Sequence, residues 1–244
     1  GLTIVSGGRY DNLIGEFGLD APAVGFGVNV NALCDVMREE INVDRPIRIA
    51  LTKGRLEKSS ISLFKKMGLD TSELENKGRR LILPVGDFEA VLSKAPDVIT
   101  YVEHGVCDIG IVGKDTIVEH GNSFYEVIDL NIGKCRFALA CPNGTDFFSG
   151  HRRKVVASKY PKVAKSYFQS KGMDVDIIKI EGLGLADGIV DIVETGSTLK
   201  ENGLEVVDTI MPISARVIVN MASMKLRKKE IEEFLNELEL ASKV

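Results

Sequence analysis

Along most of the chain, the spacing of apolar residues alternates between the pattern of a buried strand and the pattern of a helix. From residue 47 onward, short apolar runs of strand length precede segments whose apolar residues recur at helical spacing. The first such unit joins the run 47–51 to a segment with Leu56, Leu63, Phe64 and Met67 on one face. Strands and helices that alternate with short turns predict an α/β fold with mostly parallel sheets, covered on both faces.

The same pattern continues to the end of the chain. A last helix, from about residue 225, carries Ile231, Phe234, Leu235 and Leu238 on one face, and its basic start is interpreted as a solvated surface. Two further strand–loop–helix segments, 105–121 and 184–203, resemble each other and suggest two similar lobes facing one cleft. The remaining predicted elements are strands at 108–112, 136–141, 154–157 and 174–180, and a helix from Pro161 to near Gly172.

The beginning of the chain lacks this alternation of strand-like and helix-like segments. Residues 2–37 are rich in glycine and indicate short strands, tight turns and a brief helix, which are too little to form a core alone. The polar run 39–46 ends in a proline and is the best candidate for a linker.

Composition limits the classes of function. The 244 residues carry a net charge of −4 without a strongly basic half, which gives no support for a nucleic-acid or membrane surface. The four cysteines have no metal-ligand spacing, so reduced thiols and a cytoplasmic location are expected. No apolar run has the length of a membrane helix.

The segment 187–199, DGIVDIVETGSTL, is the most informative motif. A predicted strand over 188–193 ends at Glu194, and the following Thr195, Gly196, Ser197 and Thr198 offer N–H groups and hydroxyls where a helix would begin. Such a helix start binds phosphate, because its unpaired amides and its dipole favour negative charge. An ordinary N-cap remains an equal alternative.

Two aspartates accompany this loop. Asp187 and Asp191 share a face of the predicted strand, since side chains alternate along it. An aspartate among apolar strand residues is costly unless it is paired. The pair therefore points to ribose hydroxyls or a magnesium-bound diphosphate, or to a carboxylate that is satisfied by loop amides.

Two other loops follow predicted strands. Lys53 and Arg55, with Gly54 between them, lie at a carboxyl end, where open α/β sheets bind ligands and where both cations could neutralise phosphate. The turn with Gly113 and Asp115 could line the same cleft. Alone, each loop is as well explained by a surface turn.

Four segments occur in the order and approximate spacing of one enzyme family: RIALTKGRL, DVITYVEHGVCDIGIVGKD, KVVASKYPKVAKSYF and GLADGIVDIVETGSTLKENGL. Over residues 45–244 the chain resembles the short form of ATP phosphoribosyltransferase, the first enzyme of histidine biosynthesis. The resemblance implies a fold similar to type II periplasmic binding proteins, with the active site between lobes. Lobe I would comprise 46–137 and 212–244, and lobe II 138–211.

The resemblance also implies a reaction and its residues. ATP would be joined to 5-phosphoribosyl 1-pyrophosphate, with substrate-bound Mg²⁺, to give phosphoribosyl-ATP and pyrophosphate. The phosphoribosyl pyrophosphate would contact Asp187, Asp191 and Glu194, with residues 195–198 on its 5-phosphate. ATP would contact Lys53, Gly54, Arg55, Gly113 and Asp115, and the catalytic residues would be Lys53, Arg55 and Asp191.

This chain departs from the family at two places. Residues 181–183 are the short connection EGL, where relatives have a longer loop with a glutamate and a proline. Lys94 replaces a usual arginine, which removes a bidentate contact to phosphate.

Residues 7–33 resemble the last core motifs of histidyl-tRNA synthetase and of its non-aminoacylating relative, the regulatory subunit of short-form ATP phosphoribosyltransferases. Ala32 stands where synthetases have an arginine for ATP, which favours the regulatory relative. The expectation is that residues 1–45 are the tail of such a sequence, joined to a transferase that forms homo-oligomers and hetero-oligomers with a regulatory subunit. The alternatives are a two-lobed solute-binding protein or inactive paralogue, and then a tRNA-related module.

Overall fold

The structure, a computed structural model, describes residues 3–10, 18, 21–33, 45–150, 152–179 and 186–243. The short connection at residues 181–183 lies outside the described residues. Within them, the strands form one two-stranded, one six-stranded and one five-stranded sheet.

The two-stranded sheet is a hairpin near the start of the chain. Strands β1 (Val5–Tyr10) and β2 (Ala23–Val28) pair in antiparallel register. Their apolar side chains are largely exposed, with Phe26 76% accessible. A hydrogen bond of 2.8 Å from Lys225 Nζ to Asn31 Oδ1 ties this region to lobe I.

Lobe I is built on the six-stranded sheet, in the order β4-β5-β3-β6-β13-β7. Ile49 and Leu51 of its strand β3 pack on one face with Phe64 and Phe234, and Ala50 packs on the other face. Its elements are β3 (Ile47–Thr52), α1 (Arg55–Lys66), α2 (Ser72–Glu75), β4 (Ile82–Val85), β5 (Phe88–Ser93), α3 (Ala95–Glu103), β6 (Ile109–Gly113), α4 (Lys114–His120), β7 (Tyr125–Asp129), β13 (Ala215–Val219), α7 (Met221–Leu226) and α8 (Lys228–Lys243).

Lobe II is built on the five-stranded sheet, in the order β10-β9-β11-β8-β12. Phe137, Phe168 and Val190 lie at the centre of its main core. Its elements are β8 (Cys135–Pro142), β9 (Lys154–Ala157), α5 (Pro161–Ser170), β10 (Val175–Ile178), β11 (Gly188–Val193), α6 (Ser197–Glu201) and β12 (Leu204–Ile213).

The chain passes between the lobes after β7 and after β12, and the two connections are bonded to each other. Leu130 N–H donates to Ala215 O at 3.0 Å, and Ala215 N–H donates to Ile132 O at 2.9 Å. Ser214 Oγ also donates to Asp129 Oδ1 at 2.7 Å. The connections therefore lie side by side at one edge of the cleft.

The α/β class with two lobes is confirmed, and the sheets, predicted to be mostly parallel, are mixed. Strand β3 is parallel to β5 and β6, and β9 is parallel to β10 and β11. Antiparallel pairs involve β4, β8, β12 and β13. In the described residues, no helix combines the length and apolarity that a membrane crossing requires.

The last helix, predicted from about residue 225, begins at Lys228, and Arg227 separates it from α7. The side chain of Arg227 is buried, bonded to Glu230 and 3.7 Å from Asp108, so the basic run is not wholly a solvated face. The apolar stripe of α8 is buried as predicted, at Ile231, Phe234 and Leu238.

Candidate active site

Thr195 and Gly196 lie between β11 and α6, and Ser197 and Thr198 are the first two residues of α6, so a helix begins within residues 195–198 as the sequence predicts. Gly196 has φ 80°, a left-handed conformation that glycine adopts without strain, and it precedes α6 as N-cap. No side chain caps this helix start, and the nearest contact is a long one, 3.4 Å from Ser197 N to Thr195 Oγ1. The ordinary N-cap alternative therefore has no side-chain hydrogen bond to support it.

A cavity of about 390 Å³ opens beside this loop. Its wall includes the hydroxyls of Thr195, Ser197 and Thr198, which is the set that a phosphate would need. Arg55 of lobe I reaches the same cavity, so both lobes contribute to it. The lining residues are Arg55, Cys135, Asp191, Ile192, Val193, Glu194, Thr195, Gly196, Ser197, Thr198 and Leu199.

Arg55 and Glu194 form an ion pair across the cleft. Arg55 Nη1 lies 2.5 Å from Glu194 Oε2, and this hydrogen bond raises the pKa of the Arg55 side chain. Their side chains are 62% and 56% exposed, so solvent screens the pair and its net contribution to stability is small. The ion pair can therefore open at little cost in free energy.

The turn before Arg55 depends on Gly54, whose φ of 99° strains other residues. Gly54 N–H donates to Glu57 Oε2 at 3.2 Å, and the buried Glu57 is also paired with Lys77. Lys53 is exposed, does not line the cavity, and has no side-chain partner among the described residues. The structure thus brings Arg55, but not Lys53, into the lining of the cavity.

Lys94 lies close to this turn. It is exposed and is the N-cap residue of α3, directly after Ser93, whose carbonyl accepts the Lys53 N–H at 2.9 Å. Because β3 and β5 are parallel neighbours, Lys53 and Lys94 both follow carboxyl ends at one edge of the sheet.

Gly113 and Asp115 lie at the start of α4. A Cβ at position 113 would meet Asp115 Oδ1 at 2.1 Å, so a larger residue there would displace the Asp115 side chain. Burial, and then the charges of Asp115 and Asp191, raise the pKa of the Tyr160 hydroxyl. Carboxylates of both lobes, Asp115 from lobe I and Asp191 from lobe II, therefore raise the pKa of Tyr160. The phenol of Tyr160 stays protonated at neutral pH.

Asp191 lines the cavity with a partner that sequence reasoning missed. Lys159 Nζ lies 3.9 Å from Asp191 Oδ1, and this oxygen also accepts the Ile192 N–H at 2.8 Å. Lys159 precedes α5 in the segment SKYP, which carries no motif for a ligand. Its sequence separation from Asp191 hides the pairing.

Asp187 is not brought into this cavity. It comes directly before Gly188, the first residue of β11, whereas the cavity lies at the last residues of the strand. Val155 N–H donates to Asp187 Oδ2 at 2.8 Å, and Arg152 pairs with Asp187 Oδ1. The hydrogen bond from Val155 lowers the pKa of this carboxyl group. The shared face of Asp187 and Asp191 does not place both at one site, because the strand separates them along its length.

Comparisons with known proteins identify the family of the chain. Residues 94–240 match the family model described as HisG: ATP phosphoribosyltransferase. The chain is 58% identical over 206 residues to the ATP phosphoribosyltransferase of Clostridium kluyveri, which covers 81% of this chain and 94% of that protein. It is 55% identical over 204 residues to that of Clostridium acetobutylicum, with 80% and 95% covered.

A solved structure is also similar. The ATP phosphoribosyl transferase (HisG:HisZ) complex from Thermotoga maritima matches with a TM-score of 0.69 and 33% identity, over 81% of this chain and 98% of that one. Sequence family, relatives and fold agree, and the chain belongs to the ATP phosphoribosyltransferase family.

Proposed function

We propose that the protein condenses ATP with 5-phosphoribosyl 1-pyrophosphate to give phosphoribosyl-ATP and pyrophosphate, the first step of histidine biosynthesis. The observation that carries the proposal is the cavity in which Arg55 of lobe I faces the uncapped start of α6 in lobe II. Such a cavity offers a cation and a phosphate-binding loop to one anionic substrate.

The loop residues hold phosphoribosyl pyrophosphate. Thr195–Thr198 bind the 5-phosphate through backbone N–H groups and hydroxyls, and Gly196 lets the backbone come close. Asp191 and Glu194 face the ribose hydroxyls from the same wall of the cavity. Asp187 is left out of these contacts because of its position beyond the other end of β11.

The cationic side of the cavity receives the diphosphate. Arg55 leaves Glu194 and binds phosphate oxygens through its planar fork, while Lys159 and Lys53 add positive charge nearby. ATP lies toward lobe I, along Gly54, Gly113 and Asp115. We assign these residues to ATP because they lie at the carboxyl ends of β3 and β6, and open sheets bind ligands at the carboxyl ends of their strands.

The chemistry needs little proton transfer. A ring nitrogen of adenine attacks the anomeric carbon with its own lone pair, so alignment and stabilisation of the leaving pyrophosphate supply most of the rate. The described residues contain no group of three or more metal ligands. Asp191 and Glu194 nevertheless suit a Mg²⁺ that is carried by the diphosphate, which would neutralise its developing charge.

Product analysis tests the proposal. The protein is incubated with ATP, phosphoribosyl pyrophosphate and magnesium, and the products are identified by mass spectrometry. We expect phosphoribosyl-ATP and pyrophosphate in equal amounts. Ligand binding without product, with and without a regulatory subunit, would instead leave a two-lobed binding protein or inactive paralogue.

Assembly with a regulatory subunit belongs to the same proposal. Support comes from the likeness of residues 7–33 to that subunit and from the exposed apolar face of the hairpin, where Val5, Val24, Phe26 and Val28 lie together. The protein forms oligomers with itself and with this partner in the cytoplasm. Size-exclusion chromatography with light scattering, with and without the partner, would contradict this if a monomer persisted in both.

The joining of residues 1–45 to the transferase is tested separately. Intact-mass measurement of the native gene product should give a single polypeptide that contains both residues 1–45 and the transferase. Two separate polypeptides would contradict the fusion.

A further inference from the structure

Helix α5 begins without a cap of its own. Its N-cap residue, Tyr160, makes no side-chain cap hydrogen bond, and Pro161 at the first helical position has no N–H. The next two N–H groups, of Lys162 and Val163, need an acceptor, since the first turn of a helix cannot bond them internally.

Glu119 supplies this acceptor from the other lobe. Its carboxylate oxygens accept the Lys162 N–H at 3.1 and 3.3 Å and the Val163 N–H at 3.3 Å. Glu119 is in α4 of lobe I and only 4% exposed. A buried carboxylate at a helix N-terminus is stabilised by both the hydrogen bonds and the helix dipole.

The segment just before α5 is fixed to the sheet of lobe II. Ser158 Oγ donates to Val190 O at 2.7 Å, and Tyr160 N–H donates to Ser158 Oγ at 2.9 Å. Lys159 lies between these two anchors, with its ammonium group 3.9 Å from Asp191. The position of Lys159 therefore depends on the start of α5 on one side and on β11 on the other.

We infer that Glu119 is a positioning residue for phosphoribosyl transfer: by holding the start of α5 across the lobes, it keeps Lys159 facing Asp191 and the substrate diphosphate. This inference rests on the proposed function. It links the relative position of the lobes to the charge in the cavity, because the carboxylate and the helix that it caps belong to different lobes.

A double-mutant cycle tests the link. Values of kcat and KM are measured for wild type, Glu119→Gln, Lys159→Ala and the double variant. Glutamine keeps the volume and one acceptor oxygen but loses the charge. We expect Glu119→Gln to lower kcat/KM for phosphoribosyl pyrophosphate about 10-fold, with KM for ATP unchanged, because misplaced groups lose alignment. In the Lys159→Ala background, Glu119→Gln should have almost no further effect.

Glu103→Gln is the matched control. Glu103 also accepts two consecutive backbone N–H groups, of Asn122 and Ser123, but entirely within lobe I. The Glu103→Gln variant should leave kcat/KM for phosphoribosyl pyrophosphate unchanged. An equal loss in this variant, or losses from Glu119→Gln and Lys159→Ala that simply add, would overturn the inference while leaving the function intact. A wild type without product overturns the proposed function and the inference together.

Amide hydrogen exchange keeps the test independent of kinetics. Lys162 and Val163 should exchange faster in Glu119→Gln than in wild type, while the rest of α5 keeps its protection. Unchanged exchange at both amides would show that Glu119 does not hold the helix start, and this would overturn the inference. A loss of protection throughout α5 would also overturn it, since the role would then be structural.

Discussion

Arg55 of α1 and Glu194 at the end of β11 meet at 2.5 Å across the cleft between the lobes. The two residues are 139 positions apart in sequence, and both line the cavity beside residues 195–198, the proposed phosphate loop. Because the pair is exposed, it stabilises the fold little. Its importance is therefore expected to lie in substrate binding, where Arg55 would exchange a carboxylate for a phosphate.

Replacement of Arg55 separates activity from stability. Arg55→Ala should lower kcat/KM for phosphoribosyl pyrophosphate about 100-fold, because a cation that stabilises the leaving group is lost. The free energy of unfolding should change by less than about 1 kcal/mol, as for other exposed pairs. Steady-state kinetics and urea unfolding measure the two effects.

Arg80→Ala is the control for that experiment. Arg80 forms a similar exposed pair with Glu73, at 2.6 Å, within lobe I. The Arg80→Ala variant should change neither kcat/KM nor the free energy of unfolding appreciably. Comparable loss of activity in both variants would show that Arg55 has no special place in the cleft. Arg55→Lys should recover only part of the activity, since lysine keeps the charge but not the fork.

The hydroxyls of the phosphate loop provide the second prediction. Thr195→Ala combined with Thr198→Ala should weaken phosphoribosyl pyrophosphate binding by more than about 10-fold, through the loss of charge-assisted hydrogen bonds. Isothermal titration calorimetry measures the dissociation constant. Thr100→Ala, on the exposed side of α3, removes a threonine hydroxyl elsewhere and should have no effect. Unchanged affinity in the double variant would remove the loop from the site.

Asp191 and Asp187 should respond differently to the same change. Asp191→Asn removes a carboxylate from the cavity and should lower kcat about 10-fold or more. Asp187→Asn changes a residue beyond the far end of β11 and should leave kcat within about 2-fold of wild type, since its contacts are to Val155 and Arg152. If Asp187→Asn lost activity as Asp191→Asn does, the placement of the substrate along β11 would be wrong.

Asp108 is expected to make stability depend on pH in acid. It is 1% exposed, and burial alone would raise its pKa, but hydrogen bonds from Arg45, from the Arg48 N–H and from Ser223 lower the pKa below the ordinary 3.8. The folded state thus binds fewer protons than the unfolded state at this group. Its stabilisation is present above about pH 4 and is lost as the pH falls through the folded pKa.

The variant Asp108→Asn tests this sign. At pH 7 it should lower the free energy of unfolding by about 3 kcal/mol, because it leaves the buried Arg227 and the half-buried Arg45 without their carboxylate. Between pH 4 and pH 2 its stability should fall less steeply than that of wild type. Equal slopes for the two proteins in urea unfolding at several pH values would contradict the assignment.

The sequence predicted elements that depend on local pattern. Strands Lys154–Ala157 and Gly188–Val193 and the loop at residues 195–198 lie where periodicity and turn residues place them. Local pattern says nothing about which strands become neighbours. The antiparallel pairs of β8, β12 and β13 depend on contacts between distant residues, so the mixed sheets were not foreseen.

In the candidate site, too, the sequence predicted the local motifs but not the contacts between distant residues. Arg55 and the phosphate loop belong to recognisable motifs, but Lys159 and Glu119 act through partners that the fold alone brings near. A single glutamate near the end of a short helix has no local signal for capping a helix in another lobe. The periodicity of β11 predicts one face for Asp187 and Asp191, but it could not decide which end of the strand lies at the cavity.

The initial rate of phosphoribosyl-ATP formation tests the account most directly. Wild-type protein with saturating ATP and magnesium is titrated with phosphoribosyl pyrophosphate, with and without a regulatory subunit, and the absorbance of the product is followed. The account predicts a rate that saturates with phosphoribosyl pyrophosphate and falls about 100-fold in Arg55→Ala. No product under any condition, or equal rates for wild type and Arg55→Ala, would contradict it.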